Sequence, residues 1–151
     1  MPDHRERDIR GAILELLDST GVFDRIYPGT LPDAGGEPSG VRRTASIEPS
    51  GTVVSGLGDD VAGALKATSS VTIVLLARDD DPTARDDAAE LLLNTTASAL
   101  NGRSLAGVSL PGSTRLCSWA WRKATPPERR IEATLEFQYL LEGWSDFDLS
   151  E

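Results

Sequence analysis

Three hydrophobic patterns stand out along the chain: one unbroken apolar run near its middle, one helical stripe after it, and a pair of alternations toward the end. Val71-Thr72-Ile73-Val74-Leu75-Leu76-Ala77 is short and rich in β-branched residues, so it reads as a buried central strand. Arg78-Asp79-Asp80-Asp81-Pro82 then breaks the run. Asp81 is placed to accept from the free backbone N–H groups of a following helix, and Pro82 suits the first helical position, where its missing donor has no partner to lose. Apolar positions next recur at helical spacing, at Ala84, Ala88, Leu91, Leu92, Thr95 and Ala99, with Ala89, Leu93 and Leu100 widening the stripe. Asn101-Gly102 supplies a left-handed stop. This strand and the helix lying on it are the expected seed of the core.

On the N-terminal side, Arg5 to Leu17 predicts an amphipathic helix with Ile9, Ala12, Ile13, Leu16 and Leu17 on one side, ended by Gly21. Val22 to Tyr27 predicts a first strand, closed by Pro28-Gly29. The stretch 29–40 is glycine- and proline-rich with almost nothing apolar, which predicts a long mobile loop. Val41 to Ile47 reads as a second strand near a sheet edge, ended by Pro49-Ser50-Gly51, with charged side chains that discourage stray pairing. Thr52 to Lys66 is ambiguous: Val53-Val54 looks extended, whereas Asp59-Asp60 with Val61, Ala64 and Leu65 suits a short helical turn.

The C-terminal third alternates. Arg115 to Lys123 places Cys117, Trp119 and Trp121 on one face against Leu116, Ser118 and Ala120. Arg130 to Glu142 places Ile131, Ala133, Leu135, Phe137, Tyr139 and Leu141 on one face against charged and polar residues. With Thr125-Pro126-Pro127-Glu128 as the turn, Trp121 falls opposite Ile131 and Trp119 opposite Ala133, giving a shared apolar face for the two helices to cover. The expected architecture is one α+β domain over residues 1–151, with a mixed, mainly antiparallel β-sheet of about four to five strands and two helices packed on one face.

Composition narrows the function. A chain of 151 residues can bury about two-thirds of the surface its unfolded form exposes. One cysteine excludes an internal disulfide framework, no apolar run approaches the roughly 20 residues of a membrane-spanning helix, and the charged start Met1 to Arg7 is unlike a signal peptide. A reducing, cytoplasmic compartment is expected. The net charge of −9 argues against duplex binding, which depends on Lys and Arg neutralising phosphates, but suits a surface past which DNA must slide without sticking.

The candidate chemistry is sparse. Asp79-Asp80-Asp81 with Asp86-Asp87 has carboxylate oxygens for a hard cation, but lacks the alternating ligands and central glycine of a calcium loop, so it is read as helix capping and no metal is expected. His4, the sole histidine, lies in a stretch expected to fray, which leaves a His-based triad without a fixed base. Cys117 is expected to be a buried, inert thiol beside the tryptophans. No phosphate loop, dinucleotide fingerprint, zinc spacing or nucleophile elbow is present, so neither catalysis nor a cofactor is expected. Arg129-Arg130, with Arg122-Lys123 across the turn, forms a basic cluster that suits either a merely solvated turn, the favoured reading, or the docking of an acidic neighbour. In the tail 143–151, Trp144, Phe147 and Leu149 stand among carboxylates, and large apolar groups so placed are expected to be docked, on their own subunit or on the next.

The order of elements resembles that of the tail terminator or tail completion (head-tail joining) proteins of long-tailed bacteriophages and their prophage relatives. The likeness is carried by Asp8-Ile9-Arg10 to Leu17 with Gly21-Val22-Phe23, by Val71 to Asp81-Pro82, by Ala99-Leu100-Asn101-Gly102, and by Arg129-Arg130-Ile131 through Phe137-Gln138-Tyr139. It implies a non-enzymatic structural subunit that forms a ring, usually a hexamer, caps the tail tube and joins it to the head connector. The implied partners are further copies of the chain, the tail tube protein and the head connector protein, with DNA passing through unbound and no membrane involved. The implied location is the cytoplasm during assembly and the virion tail or neck afterwards. Subunit contacts are expected at Arg122, Arg129, Arg130, Trp144 and Phe147. Two alternatives stand beside this reading: another neck or head-closure component, and an enzyme or small-ligand binding module whose site assembles from loops.

Overall fold

The computed structural model describes residues 5–29, 41–56, 65–107, 109–110, 112–124 and 126–140. The elements run α1 (Arg5–Ser19), β1 (Arg25–Tyr27), β2 (Arg43–Gly56), β3 (Leu65–Arg78), α2 (Pro82–Leu100), β4 (Arg115–Arg122) and β5 (Glu128–Leu140). The strands form one sheet in the order β1-β2-β3-β5-β4, in which β1 pairs parallel with β2 and every other pairing is antiparallel. The fold is α+β, with both helices on one face of the sheet, as the hydrophobic pattern predicts.

That face holds one apolar cluster. Ile9, Ile13 and Leu17 from α1 and Leu92 and Leu100 from α2 are fully buried against Ile73 and Leu75 of β3 and Ile131, Leu135 and Phe137 of β5. A fully buried side chain of this size contributes about 1.5–3 kcal/mol, so these residues carry the stability of the fold. The central run of β3 is flanked on both sides, by β2 and β5, and Val74, on the face away from the core cluster, is buried as well.

The bounds of α2 follow its capping residues. Asp81 Oδ2 accepts from the Ala84 backbone N–H at 3.1 Å, Pro82 opens the helix, and beyond the Asn101 cap Gly102 takes φ +77°, a left-handed conformation that a side chain would strain. The buried stripe is rotated from the expected one. Ala89, Leu92, Leu93, Thr96 and Leu100 face the core, whereas Leu91 is 44% exposed. Thr96 satisfies its hydroxyl within the helix by donating to the Leu92 carbonyl at 2.7 Å, which lets a polar residue occupy the buried line.

The strands differ more from the sequence reading. Of the expected first strand only Arg25–Tyr27 pairs. Val22 and Phe23 pack against the core instead, and Asp24 Oδ2 accepts from the backbone N–H groups of Arg42 and Arg43, fixing where β1 meets β2. The expected stop at Pro49-Ser50-Gly51 is a bulge rather than an end, since β2 continues to Gly56. The proline is tolerated because β1 reaches only as far as Ser46, so β2 is the sheet edge at that point. β3 begins at Leu65, ahead of the apolar run, and there Lys66 to Ser70 are held between β2 and β5. The extended option for Val53-Val54 is therefore the observed one, while the proposed helical turn falls largely in 57–64, outside the described residues. Residues 30–40 of the predicted loop 29–40, and 141–151 with the whole of the tail 143–151, also lie outside them.

Candidate functional site

The sheet's outer strand, β4, has β5 on one side and, among the described residues, no strand on the other. Its expected pairing with β5 is present: Trp121 lies opposite Ile131 and Trp119 opposite Ala133. A register shift between Leu116 and Ser118, however, puts Leu116 opposite Leu135 on the apolar side and displaces Cys117 from the alternation. Cys117 is exposed, contrary to the expectation of a buried thiol, and its Sγ lies 3.4 Å from the Thr134 carbonyl. Asn101, just past α2, accepts from the Leu116 backbone N–H at 2.7 Å, so the start of the outer edge is already capped and the stretch from Ser118 to Arg122 is the open part.

Helical cover reaches this strand only in part. α2 packs chiefly on β3 and β5, leaving Trp119 55% and Trp121 39% exposed on the helix side of the sheet. An alternating pattern tells which face a residue takes and not whether anything lies above it. Two half-exposed tryptophans along an open strand form a surface able to receive an extended chain, because the backbone supplies hydrogen bonds and the rings supply apolar contact.

The basic hairpin end is more nearly neutral than the sequence suggests. Glu132 lies between two arginines, 3.0 Å from Arg122 Nε and 3.5 Å from Arg130 Nη2. Arg129 sits over Trp121 with Cζ 4.8 Å from the ring centroid, and its Nε lies 3.1 Å from Asp86 Oδ1 of α2. That contact is an ion pair off-line for a hydrogen bond, since the buried Arg129 Nε has no hydrogen-bond partner. Arg115 pairs with Glu136 and Arg78 with Glu128. Of the expected contact residues, Arg122 and Arg130 share one carboxylate on the sheet face away from the helices, Arg129 stands on the helix face, and Trp144 and Phe147 lie outside the described residues.

A second group of cations escaped the sequence reading. Arg42, Arg43 and Arg78 line a shallow open cleft against α2, together with Asp79, Asp87 and Leu91. Arg42-Arg43 is visible as a basic pair in the sequence, but its approach to Arg78 depends on the pairing of Arg43 with Ala77.

At the opposite end of the sheet, Glu6 ties α1 to the strands. Its Oε1 accepts from Ser69 Oγ at 2.6 Å and Thr52 Oγ1 at 2.9 Å. Burial pushes the Glu6 carboxyl up, but hydrogen bonds from Ser69, Thr52 and Tyr139, with the Arg10 charge nearby, outweigh it and hold the group below its usual range. Nothing in the sequence pattern marks Glu6 or Ser69, which come together only through the long β2–β3 ladder.

The acidic run acts as the capping account describes: Asp81 caps α2 and Asp79 Oδ1 accepts from the Asp81 backbone N–H at 3.0 Å. His4 lies outside the described residues. Among the described residues no helix is long and apolar enough to cross a membrane.

No family model matches the chain, and no curated protein matches it. Among solved structures, the chain is similar to one from a particle described as the virion of native gene transfer agent (GTA), with 14% identity, a TM-score of 0.49, and coverage of 87% of this chain and 93% of that one.

Proposed function

We propose that the chain is a structural subunit of a phage-like particle, a ring-forming protein that caps the tail tube and joins it to the head connector. The observation that supports this reading best is the open β4 edge with Trp119 and Trp121 beside it, a surface suited to contact with another chain. The order of elements agrees with that of the tail terminator proteins the sequence resembles. In this reading the ring, a hexamer, contains copies meeting near Arg122, Arg129 and Arg130, with Trp144 and Phe147 contributed by the tail. An acidic lining would let DNA pass without adhering. The subunit would be made in the cytoplasm and end in the tail or neck.

The test is assembly of tail tubes, from the tube protein of the same particle, with and without this chain. Electron microscopy should show tubes of arrested length bearing a ring at one end. Tubes that grow as long with the protein as without it overturn the reading.

A further inference from the structure

We propose that the open edge of β4 receives the C-terminal segment 141–151 of a second copy of the chain, laid alongside Ser118 to Arg122 as an added strand. Three observations carry this. The first is the edge itself, which no strand among the described residues pairs along its outer side from Ser118 onward, with Trp119 and Trp121 half-exposed on the helix side. An edge of this kind invites pairing unless it is covered.

The second is alternation. On β4, Trp119 and Trp121 take the helix side, while Arg122, opposite Arg130, takes the other. In the tail, Phe147 and Leu149 alternate with Asp146 and Asp148. A strand with Phe147 and Leu149 beside the tryptophans places both aspartates on the side of Arg122, because the period of a strand is two. One register satisfies the apolar and the charged set together.

The third is charge. The segment 141–151 contains Glu142, Asp146, Asp148 and Glu151 and no Lys or Arg. The strand it would meet carries Arg115 and Arg122 and is followed by Lys123. Arg122 shares Glu132 with Arg130, so one carboxylate serves two guanidinium groups and a further acid is accommodated there.

Geometry favours a second copy over the chain's own tail. β5 ends at Leu140, and the connector before β4 runs beside that end: Ser109 bridges to Tyr139, and the Leu110 backbone N–H donates to the Gln138 carbonyl at 2.7 Å. To reach its own outer edge, the tail would have to cross this connector and reverse direction within Leu141 to Gly143. A neighbour's tail meets no such constraint.

The inference rests on the reading of the chain as a self-associating subunit and not on the identity of the particle, so the test uses the protein alone as well as with tail tubes. Cys117, the single cysteine, is exposed on β4 and serves as the probe. Ser145→Cys and Ser150→Cys variants, treated with a mild oxidant, should give disulfide-linked two-chain species on non-reducing gels. These species should vanish when Cys117→Ser is added. Trp119→Ala and Phe147→Ala should each weaken self-association in sedimentation by about tenfold, the loss expected of a central aromatic contact. A link within one chain overturns the assignment to a second copy, and absence of any Cys117-dependent link, with and without tubes, overturns the docking itself. Tubes that remain capped when no link forms would separate this failure from failure of the tail-terminator reading.

Discussion

The guanidinium of Arg129 is held between the ring of Trp121, 4.8 Å from its centroid, and the carboxylate of Asp86, 3.1 Å from Nε. One side chain thereby joins the sheet edge to the first turns of α2. The ring attracts the cation through its quadrupole and the carboxylate through its charge. In a double-mutant cycle with Arg129→Ala and Trp121→Ala, chemical denaturation should show a coupling of about 0.5–1 kcal/mol, as expected for a partly exposed cation–π pair. Additive single effects would show that the stacking contributes nothing. Arg129→Lys should lose part of the coupling, because the planar guanidinium stacks and an ammonium does not.

The Glu6 carboxylate should make stability depend on acid pH. Its folded pKa is lowered, so its contribution is fully present above the ordinary value of 4.5 and is lost as pH falls through the folded value. Glu6→Gln keeps the shape and removes the charge. The variant should melt lower than the wild type at pH 7, by about 2–4 °C for a loss of about 1 kcal/mol, with the gap closing as pH falls through the lowered folded value. A gap that stays constant across this range would show that the charge is not the source.

Capping by Asp81 predicts a local asymmetry in the acidic run. Asp81→Ala should cost about 1 kcal/mol, whereas Asp80→Ala should stay within about 0.5 kcal/mol, both read from urea melts. Addition of Mg²⁺ or Ca²⁺ should leave both melting temperatures unchanged. A cation-dependent rise that Asp81→Ala abolishes would reassign the run as a binding site.

The rotated stripe of α2 is equally open to measurement. Leu92→Ala should cost about 2–5 kcal/mol, because Leu92 is fully buried and its removal leaves a cavity. Leu91→Ala should cost less than about 1 kcal/mol, since Leu91 is 44% exposed. Equal effects would place the helix in a different rotation.

How much of this was legible depends on the kind of signal. The bounds of α2 and the inward line of β5 could be read directly, because Asp81-Pro82, Asn101-Gly102 and the alternation from Ile131 to Tyr139 are local instructions. The extension of β2 past Pro49 and the early start of β3 could not. Lys66 to Ser70 are small or polar, and what holds them extended is distant: Ser69 opposite Phe137 on one side and Thr52 on the other, with Glu6 above. The same gap explains the candidate surface. Trp119 and Trp121 were assigned to the correct face, but their exposure depends on where α2 lies, and the neutralising partners of the arginines, Asp86 and Glu132, are fixed only by the packing and register of the folded chain.

The sheet order has a consequence for how the chain is made. β2–β3 and β4–β5 are each antiparallel neighbours in sequence, whereas the seam between them pairs Val71 with Leu135 and Leu75 with Ile131 across the whole of α2 and β4. On the ribosome the first hairpin therefore emerges well before its partner strand. Until β5 is synthesised, β3 presents an unpaired apolar edge from Val71 to Ala77, which is the part of the nascent protein most in need of a chaperone.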